Sequence, residues 1–256
     1  MNVSSVFNIL NEYAPIKLSS ELVALENGYD NSGIILPVTE DIKGVVFSLD
    51  LTVKAVERAI EEGANLIVTH HPAIYLPINK ISENSAIFLC LKNKIGVISM
   101  HLNLDTCERG IDYYLAQGLN AKTQTILTPL SISNTGYGRL FSFNGTAGDL
   151  KSLYEKVFKT NKTVLYGNPN VQIKKVASFC GSGLNESEIE KGKDADIFIS
   201  ADIKHHIILE LLEKGKLVLE VTHYSSEVYG FKKFYEFIAT KLNEIKAVFY
   251  ENEIML

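Results

Sequence analysis

The residues of this chain best suited to chemistry are six histidines, most of which lie at the ends of predicted strands. His70 and His71 are adjacent and directly follow residues 64–69, an apolar run with the length and composition of a buried parallel strand. Pro72 indicates that the strand has ended, so a loop there can turn both imidazoles into one cleft. Open α/β sheets bind their ligands at the carboxyl ends of strands. The adjacent pair is therefore a candidate for metal binding.

Two further histidines end predicted strands, and each is followed four residues later by a carboxylate. His101 precedes Asp105, and His223 precedes Glu227. Imidazole combined with carboxylate suits first-row divalent metals such as Zn, Mn, Fe, Co or Ni. Six donors exceed what one open tetrahedral site needs, whereas two metals about 3.5–4 Å apart would use them all. We therefore predict two divalent metal ions of open identity, with the ligands His70, His71, His101, Asp105, His223 and Glu227.

The remaining histidines and the cysteine nearest to them are weaker candidates. His205 and His206 lie at the start of a predicted helix behind Asp202, where their side chains can cap, pack or line a rim. Their role stays open. Cys107 follows the predicted ligand Asp105 closely, and we expect it to be a bystander thiol.

The sequence does not support a serine hydrolase or a P-loop nucleotidase. Ser225 and Ser226 lie between two predicted metal ligands, but the nucleophile elbow GxSxG is absent. Residues 181–183 (Gly-Ser-Gly) follow a strand and precede a helix, where a turn can hold an anion, although a plain tight turn is the simpler interpretation. The phosphate-binding pattern GxxxxGK[ST] is also absent.

The elements that would position these side chains alternate between strands and helices. Thr52 is a predicted N-cap, and residues 120–145, rich in Thr, Ser, Asn and Gly, are predicted to cross between two units. The alternation predicts an α/β fold with mostly parallel sheets. The predicted strands are 45–49, 64–69, 95–100, 174–180, 196–200, 217–222 and 246–251. The predicted helices include 3–13, 19–25, 53–62, 84–93, 147–159, 203–214 and 228–242; another begins at Gly110, and the last of them is expected to begin near Gly230.

The two halves of the chain resemble each other in sequence. The matching segments are 45–50 with 176–181 and 64–69 with 195–200, both at an offset of 131, and 97–101 with 219–223 at an offset of 122. We therefore predict an internal duplication, with two similar α/β domains and a metal site in the cleft between them. The second half has no counterpart of the pair His70 and His71, so we expect these two residues to bind different metals.

Composition excludes several classes of protein. The 256 residues are 46% hydrophobic and 21% charged, which is ordinary for a globular chain with a sizeable core. The net charge is -5 without a basic run, which argues against nucleic acid as a partner. No segment approaches the roughly 20 apolar residues of a membrane helix, and the N-terminus lacks signal-peptide features. Three scattered cysteines do not form a disulfide framework. We expect a cytoplasmic protein that does not bind membranes.

The chain resembles the Nif3-like family, whose members also carry the name GTP cyclohydrolase 1 type 2 homologue, and is similar to its short bacterial form. Tyr29 stands where a tryptophan is usual in the family. The segments that carry the resemblance are LIVTHHP (66–72), SMHLNLD (99–105), ADIKHH (201–206) and THYSSE (222–227), with weaker matches in DNSG (30–33), SLDLT (48–52) and GYGR (136–139).

The resemblance implies interleaved domains, the first formed by residues 1–125 and completed by 226–256, and the second by 126–225. It also implies the same six metal ligands and a toroidal homohexamer. The implied activity is hydrolysis of GTP or another nucleotide or phosphoester small molecule by metal-activated water, with Glu227 as the candidate base. The alternative is a non-catalytic metal-binding protein or regulatory scaffold. Open coordination positions would favour the enzyme, and saturation by protein ligands would favour the alternative.

Overall fold

The computed structural model describes residues 1–243, 245–252 and 255 and has a mixed α/β fold with two β-sheets. The chain divides into two compact units, one of Met1–Cys107 with Phe231–Glu251 and one of Glu108–Gly230 with Asn252. The domain boundaries predicted from the sequence, 125/126 and 225/226, both lie inside the second unit. The domain division itself stays a prediction.

The helices and strands alternate along most of the chain. The strands are β1 (Gly33–Leu36), β2 (Gly44–Ser48), β3 (Leu66–Thr69), β4 (Gly96–Ser99), β5 (Thr125–Pro129), β6 (Gly136–Thr146), β7 (Val164–Tyr166), β8 (Gln172–Ser178), β9 (Ile197–Ala201), β10 (Leu217–Val221) and β11 (Lys246–Tyr250). The helices are α1 (Val3–Tyr13), α2 (Ile16–Glu26), α3 (Val53–Glu61), α4 (Ala86–Lys92), α5 (Leu102–Thr106), α6 (Ile111–Gly118), α7 (Ala147–Phe158), α8 (Glu186–Lys191), α9 (His205–Glu213) and α10 (His223–Ala239).

The first unit is built on a five-stranded sheet in the order β1-β4-β3-β2-β11. Strands β4, β3, β2 and β11 are parallel, and β1 pairs antiparallel with β4. Every residue of β2, β3 and β4 is buried, as their continuous apolar runs predict for strands covered on both faces. The parallel sheet predicted for the first half is thus confirmed.

Helices α3 and α4 bury one side of this sheet. Val56 of α3 and Cys90 of α4 belong to a core cluster with Val46, Ile67 and Val97 from the three central strands. As predicted, α3 begins after Thr52, whose Oγ1 accepts a hydrogen bond of 3.1 Å from the backbone N–H of Ala55. This anchored core holds the carboxyl ends of the strands in a fixed register.

The second unit is built on a six-stranded sheet in the order β5-β6-β8-β9-β10-β7. Strands β8, β9 and β10 are parallel, while β5, β6 and β7 run antiparallel to their neighbours. The crossing predicted over residues 120–145 is wrong, because β5 and most of β6 lie there. Its polar composition hides an alternation in which Tyr137, Arg139 and Phe141 are buried on one face of β6.

Helix α10 differs from its predicted range of 228–242. It begins at His223, immediately after β10, and Gly230 lies inside it rather than at its start. A Cβ atom at Gly230 would lie 2.7 Å from Cα of Ile111, so this position needs glycine for close packing. Among the described residues, no helix is both long enough and apolar enough to span a membrane.

Candidate metal centre

The register of three parallel strands gathers the predicted ligands of the first unit. Ser48 pairs with Thr69, and Thr69 pairs with Ser99, so β2, β3 and β4 end side by side. The residues that follow these ends therefore meet at one edge of the sheet. They include His71 two residues after Thr69 and His101 two residues after Ser99.

The chain bends directly after β3, which lets adjacent histidines approach a common point. The backbone N–H groups of His70 and His71 both donate to the carbonyl oxygen of Leu49, at 3.1 and 3.0 Å. Oγ1 of Thr69 donates to the carbonyl of His71 at 2.8 Å, and the backbone N–H of Ala73 donates to Oγ of Ser99 at 3.0 Å. These bonds fix the bend that the sequence suggested at Pro72.

Three imidazoles form a cluster at this edge. The ring centroid of His70 lies 4.8 Å from that of His71 and 5.2 Å from that of His101, and the centroids of His71 and His101 are 5.8 Å apart. One ring nitrogen from each residue lies within 4.8 Å of the others. His70 is completely buried, whereas the side chains of His101 and His71 retain 17% and 26% exposure. The cluster is thus closed on one side and open on the other.

Each histidine of the cluster is oriented by an oxygen acceptor at Nδ1. Nδ1 of His70 donates to the carbonyl of Met100 at 2.8 Å, because a carbonyl can only accept. Nδ1 of His71 lies 2.7 Å from Oδ1 of Asp50, and Nδ1 of His101 lies 2.8 Å from Oδ1 of Asp30. Metal-binding histidines characteristically donate the other ring N–H to a carboxylate or carbonyl. In all three residues, Nε2 is therefore the nitrogen left to bind a metal.

Asp30, the acceptor for Nδ1 of His101, is kept in its ionised form by its surroundings. Burial alone would raise its pKa, but hydrogen bonds from His101, Ser19 and Ser32, together with the charge of His101, lower the pKa to about 2. The Ser32 hydroxyl donates to Oδ2 at 2.6 Å, and the Ser19 hydroxyl donates to the same oxygen. The carboxylate therefore stays ionised at neutral pH and accepts from His101.

Asp105 adds a buried carboxylate to the first unit. It lies on α5, which begins after His101, and its Oδ1 is 3.5 Å from Nε2 of His70. The four-residue spacing between His101 and Asp105 suggests that these two side chains lie together. In the first unit, however, the ligand atom of Asp105 lies next to Nε2 of His70. The first unit thus brings together His70, His71, His101 and Asp105.

The second unit presents His223 and Glu227 on the first turns of α10. Residues four apart lie on the same face of a helix, and Nε2 of His223 is 3.0 Å from Oε1 of Glu227. Nδ1 of His223 lies 2.6 Å from Oδ2 of Asp202, which repeats the arrangement found for the other three histidines. Glu227 is buried, and the side chain of His223 is 34% exposed.

Gly181 makes room for these two side chains. Its φ of +57° lies in the left-handed region, and a Cβ atom there would be 2.5 Å from Oε1 of Glu227 and 3.1 Å from Nε2 of His223. Oγ of Ser226 accepts from the backbone N–H of Gly181 at 3.0 Å and donates to the carbonyl of His223 at 2.7 Å. The glycine and the start of α10 are therefore tied together, and a plain tight turn does not fully explain Gly181.

A buried tyrosine supports the same turn of α10. The hydroxyl of Tyr154 lies 3.0 Å from Oγ of Ser225, which donates to the carbonyl of Thr222 at 3.0 Å. Burial raises the pKa of Tyr154, and the nearby charge of Glu227 raises it further. Tyr154 is therefore a neutral structural group rather than a base.

His205 and His206 lie apart from this arrangement. Both are exposed on the first turn of α9, and Nε2 of His206 is 3.3 Å from Oε1 of Glu186. Among the described residues, neither belongs to a group of side chains that could hold a metal ion. Cys107 is buried, with Sγ 3.6 Å from the carbonyl of Leu104.

The donor chemistry fits a divalent metal. Nitrogens bound to one zinc ion at about 2.0–2.1 Å are at most about 4.2 Å apart, and two ions can sit about 3.5–4 Å apart. The ligand atoms of His70, His71 and His101 lie within 4.8 Å of one another, a bound somewhat wider than one zinc ion needs but of the same order as these spacings. Closely clustered His, Asp and Glu side chains that can hold a metal are therefore present.

Sequence reasoning missed the three aspartates that orient the histidines. Asp30, Asp50 and Asp202 each lie outside the helices and strands, and their partners are 71, 21 and 21 residues away. All three fall within segments that carry the family resemblance, which was the one available signal. Their position next to strand ends gave no reason to assign them a role.

Comparisons with known proteins agree with this fold. The chain is 28% identical over 248 residues to a GTP cyclohydrolase 1 type 2 homolog of Methanocaldococcus jannaschii, covering 95% of this chain and 97% of the relative. The structure of reduced HcgD from the same organism superimposes with a TM-score of 0.79 at 27% identity, covering 97% of both chains. A Bacillus cereus protein related to NIF3 has a TM-score of 0.85 at 17% identity, covering 98% of this chain and 97% of that one, and so supports the fold alone.

A family model provides the assignment. The model of Duf34/NIF3 (NGG1p interacting factor 3) matches residues 1–254, which is nearly the whole chain. This agrees with the resemblance found in the sequence motifs. The chain belongs to the Duf34/NIF3 family.

Proposed function

We propose that this protein is a metal-dependent hydrolase that binds two divalent metal ions. The observation that carries the proposal is common to four histidines. Each donates from Nδ1 to an oxygen acceptor, which leaves Nε2 as the ligand atom. The proposed ligands are these four imidazoles and two buried carboxylates: His70, His71, His101, His223, Asp105 and Glu227.

The number of donors supports a dinuclear rather than a mononuclear centre. The first unit offers three imidazoles and one carboxylate, which is enough for one metal, and the second offers one imidazole and one carboxylate, which is too few for a closed site. A structural zinc site is closed by four ligands, whereas a pair of metals uses six and keeps positions open for water and substrate. We propose that both units contribute to one such centre, in the cleft expected from the sequence.

The internal duplication belongs to the same proposal. Each sheet contains three adjacent parallel strands, β2-β3-β4 in the first and β8-β9-β10 in the second. The proposed ligands follow the ends of these strands, as do two of the orienting aspartates, Asp50 after β2 and Asp202 after β9. A duplicated α/β unit, both copies of which contribute ligands to the proposed metal centre, accounts for this similarity.

When bound, divalent metals supply Lewis acidity, which activates water and polarises the bond to be cleaved. The protein's part is to position the donors and to move a proton. The Nδ1 bonds fix each imidazole ring, so its Nε2 needs no reorientation to bind. Glu227 is the candidate base, because its buried carboxylate lies 3.0 Å from Nε2 of His223 and can accept a proton beside the metals.

The name of the M. jannaschii relative suggests a substrate class. We propose a nucleotide or phosphoester substrate, with GTP as the first compound to test. The proposed ligands His71, His101 and His223 are partly exposed and are therefore reachable from solvent. The homohexamer implied by the family resemblance is part of this proposal and is tested by light scattering, where a monomer would contradict it.

The deciding experiment combines metal content with turnover. Metal bound to the purified protein is quantified, and GTP and a phosphoester panel are assayed before and after chelation. His71→Ala and His223→Ala are expected to lose metal and activity, whereas His206→Ala, a histidine exposed outside the cluster, is the matched control. Glu227→Ala is expected to reduce turnover more than metal content if Glu227 is the base.

Each outcome separates the enzyme from the alternative. Turnover that survives complete metal removal would exclude the hydrolase mechanism. Full metal content in both His71→Ala and His223→Ala would exclude the proposed ligands. Stoichiometric metal without turnover of any panel member would favour the non-catalytic metal-binding protein.

A further inference from the structure

The second unit contains a polar pocket that the metal chemistry does not use. Its volume is about 220 Å³, and it is lined by residues of α6, β5 and β6 and of the segments beside them, most of which are polar. Pockets for drug-sized ligands are usually about 300–1,000 Å³, so this one suits a smaller molecule. Its polar lining residues include Glu108, Tyr113, Lys122, Gln124, Asn134 and Arg139.

Arg139, the last residue of the GYGR segment, gives the pocket a buried cation. Only 1% of Arg139 is exposed, and its contacts to the carbonyls of Gly136 and Gly138, at 3.0 and 3.4 Å, come from Nη1. The ion pair with Asp112, at 3.7 Å, also uses Nη1. Within the described part of the chain, Nε and Nη2 make no hydrogen bond.

The unused edge of this guanidinium has a specific chemistry. Nε and Nη2 donate parallel N–H groups that match the two oxygens of a carboxylate or phosphate. A buried arginine serving structure alone would be expected to use that edge for protein acceptors, because buried donors are nearly always paired. Lys122 adds a second, exposed cation to the lining, while the carboxylates near these two cations are Glu108 of the lining and Asp112, the ion-pair partner of Arg139.

Gln124 adds an acceptor to the same pocket. Its Nε2 donates to the carbonyl of Tyr113 at 3.2 Å, which fixes the orientation of the amide because a carbonyl cannot donate. Its Oε1 is buried and has no hydrogen-bond partner among the described residues. A buried acceptor of this kind favours a ligand that brings its own donor.

We propose that this pocket binds a small oxyanion, a carboxylate or phosphate monoester that also carries a hydroxyl or amino group. The acid group contacts the Nε–Nη2 edge of Arg139 and the ammonium of Lys122. The hydroxyl or amino group donates to Oε1 of Gln124. This binding site is separate from the proposed hydrolytic activity and does not depend on it.

The test uses the full-length protein and defined probes. Malate and glycerol 3-phosphate carry the required groups, inorganic phosphate carries the oxyanion alone, and erythritol is a neutral polyol of similar size. Calorimetric titration is expected to show binding of malate or glycerol 3-phosphate, weaker binding of phosphate, and none of erythritol. Arg139 is too deeply buried for a first test, so Lys122→Ala and Gln124→Met probe the site.

Each variant is expected to weaken binding about tenfold, the effect of one hydrogen bond or charge contact of about 1.4 kcal/mol. Lys54→Ala, an exposed lysine of the first unit, is the matched control and should bind like the wild type. His71→Ala should also bind normally. Binding that is lost in His71→Ala would place the probe at the metal ligands and overturn the proposal. The proposal also fails if no probe binds, or if both pocket variants bind like the wild type.

Discussion

The close approach at Gly181 allows the second unit's proposed ligands to be tested by adding a single methyl group. In Gly181→Ala the new Cβ would lie 2.5 Å from Oε1 of Glu227, where ordinary contact begins at 3.4 Å. Relief of this overlap requires a movement of about 0.9 Å by the carboxylate or by the backbone. Metal sites tolerate ligand displacements of about 0.2 Å. We therefore expect the substitution to move the carboxylate of Glu227 relative to the other proposed ligands by more than this tolerance, without changing its chemical groups.

Gly215 provides a matched control for the backbone cost. Its φ of +72° resembles the +57° of Gly181, but a Cβ atom at Gly215 meets nothing within 4 Å. Both alanine variants carry the left-handed penalty of about 1–2 kcal/mol. Only Gly181→Ala disturbs the proposed ligands. The difference between the two variants isolates the effect of moving Glu227 and His223.

We expect Gly181→Ala to weaken metal binding by at least about 10–100-fold, the range known for disturbed metal surroundings. Gly215→Ala should bind metal like the wild type while losing similar stability in urea. Affinity is measured by competition with a chromophoric chelator, and metal content by elemental analysis after dialysis. If Gly181→Ala retains wild-type affinity and stoichiometry, Glu227 and His223 do not bind metal where they lie, and the ligand assignment fails.

Three other expectations follow from the same contacts. Asp30→Asn should weaken metal binding by up to about 100-fold, because the side chain of Asp30 is only 4% exposed. Asp202→Asn should weaken it less, because the side chain of Asp202 is 62% exposed. Equal effects of the two variants in a chelator competition would contradict this expectation. Asp112→Ala should lower the free energy of unfolding by about 3–5 kcal/mol, since it strips Arg139 of its buried carboxylate, whereas the exposed Asp194→Ala should cost under about 1 kcal/mol in urea. Chelation should lower the melting temperature, which metal in excess should restore; an unchanged melting temperature would argue against metal binding to the folded state.

Much of the first unit could be predicted because its signals are local. Strands β2, β3 and β4 are short apolar runs bounded by glycine or polar residues, and parallel neighbours must end at a common edge. The clustering of His70, His71 and His101 follows directly from that register. The cap of α3 at Thr52 was equally readable, because a capping side chain acts within three residues of its own position.

The failures have a common physical cause in long-range contacts. The buried face of β6 was hidden because Arg139 on it is charged and Gly138 is a poor strand former, and only pairing with β5 and β8 makes it a strand. The sequence predicts a helix start near Gly230, but Gly230 lies inside α10, where close packing against Ile111 requires glycine despite its low helix propensity. The role of the aspartate acceptors could not be predicted for the same reason, because Asp30 contacts His101 only in the folded chain.

Under the proposed duplication, the aligned positions of the two halves carry two unequal sets of donors. At the offset of 131, Asp50 corresponds to Gly181 and His71 corresponds to Asp202. In the first unit, the aspartate after β2 orients a histidine after β3. In the second, the aspartate after β9 orients a histidine after β10, so the same pairing is moved one strand along the sheet. Glycine then occupies the place of Asp50, where a side chain would collide with Glu227. The second unit therefore provides one histidine and one carboxylate where the first provides three histidines, and the position left without a side chain is as specific to the proposed chemistry as the ligands themselves.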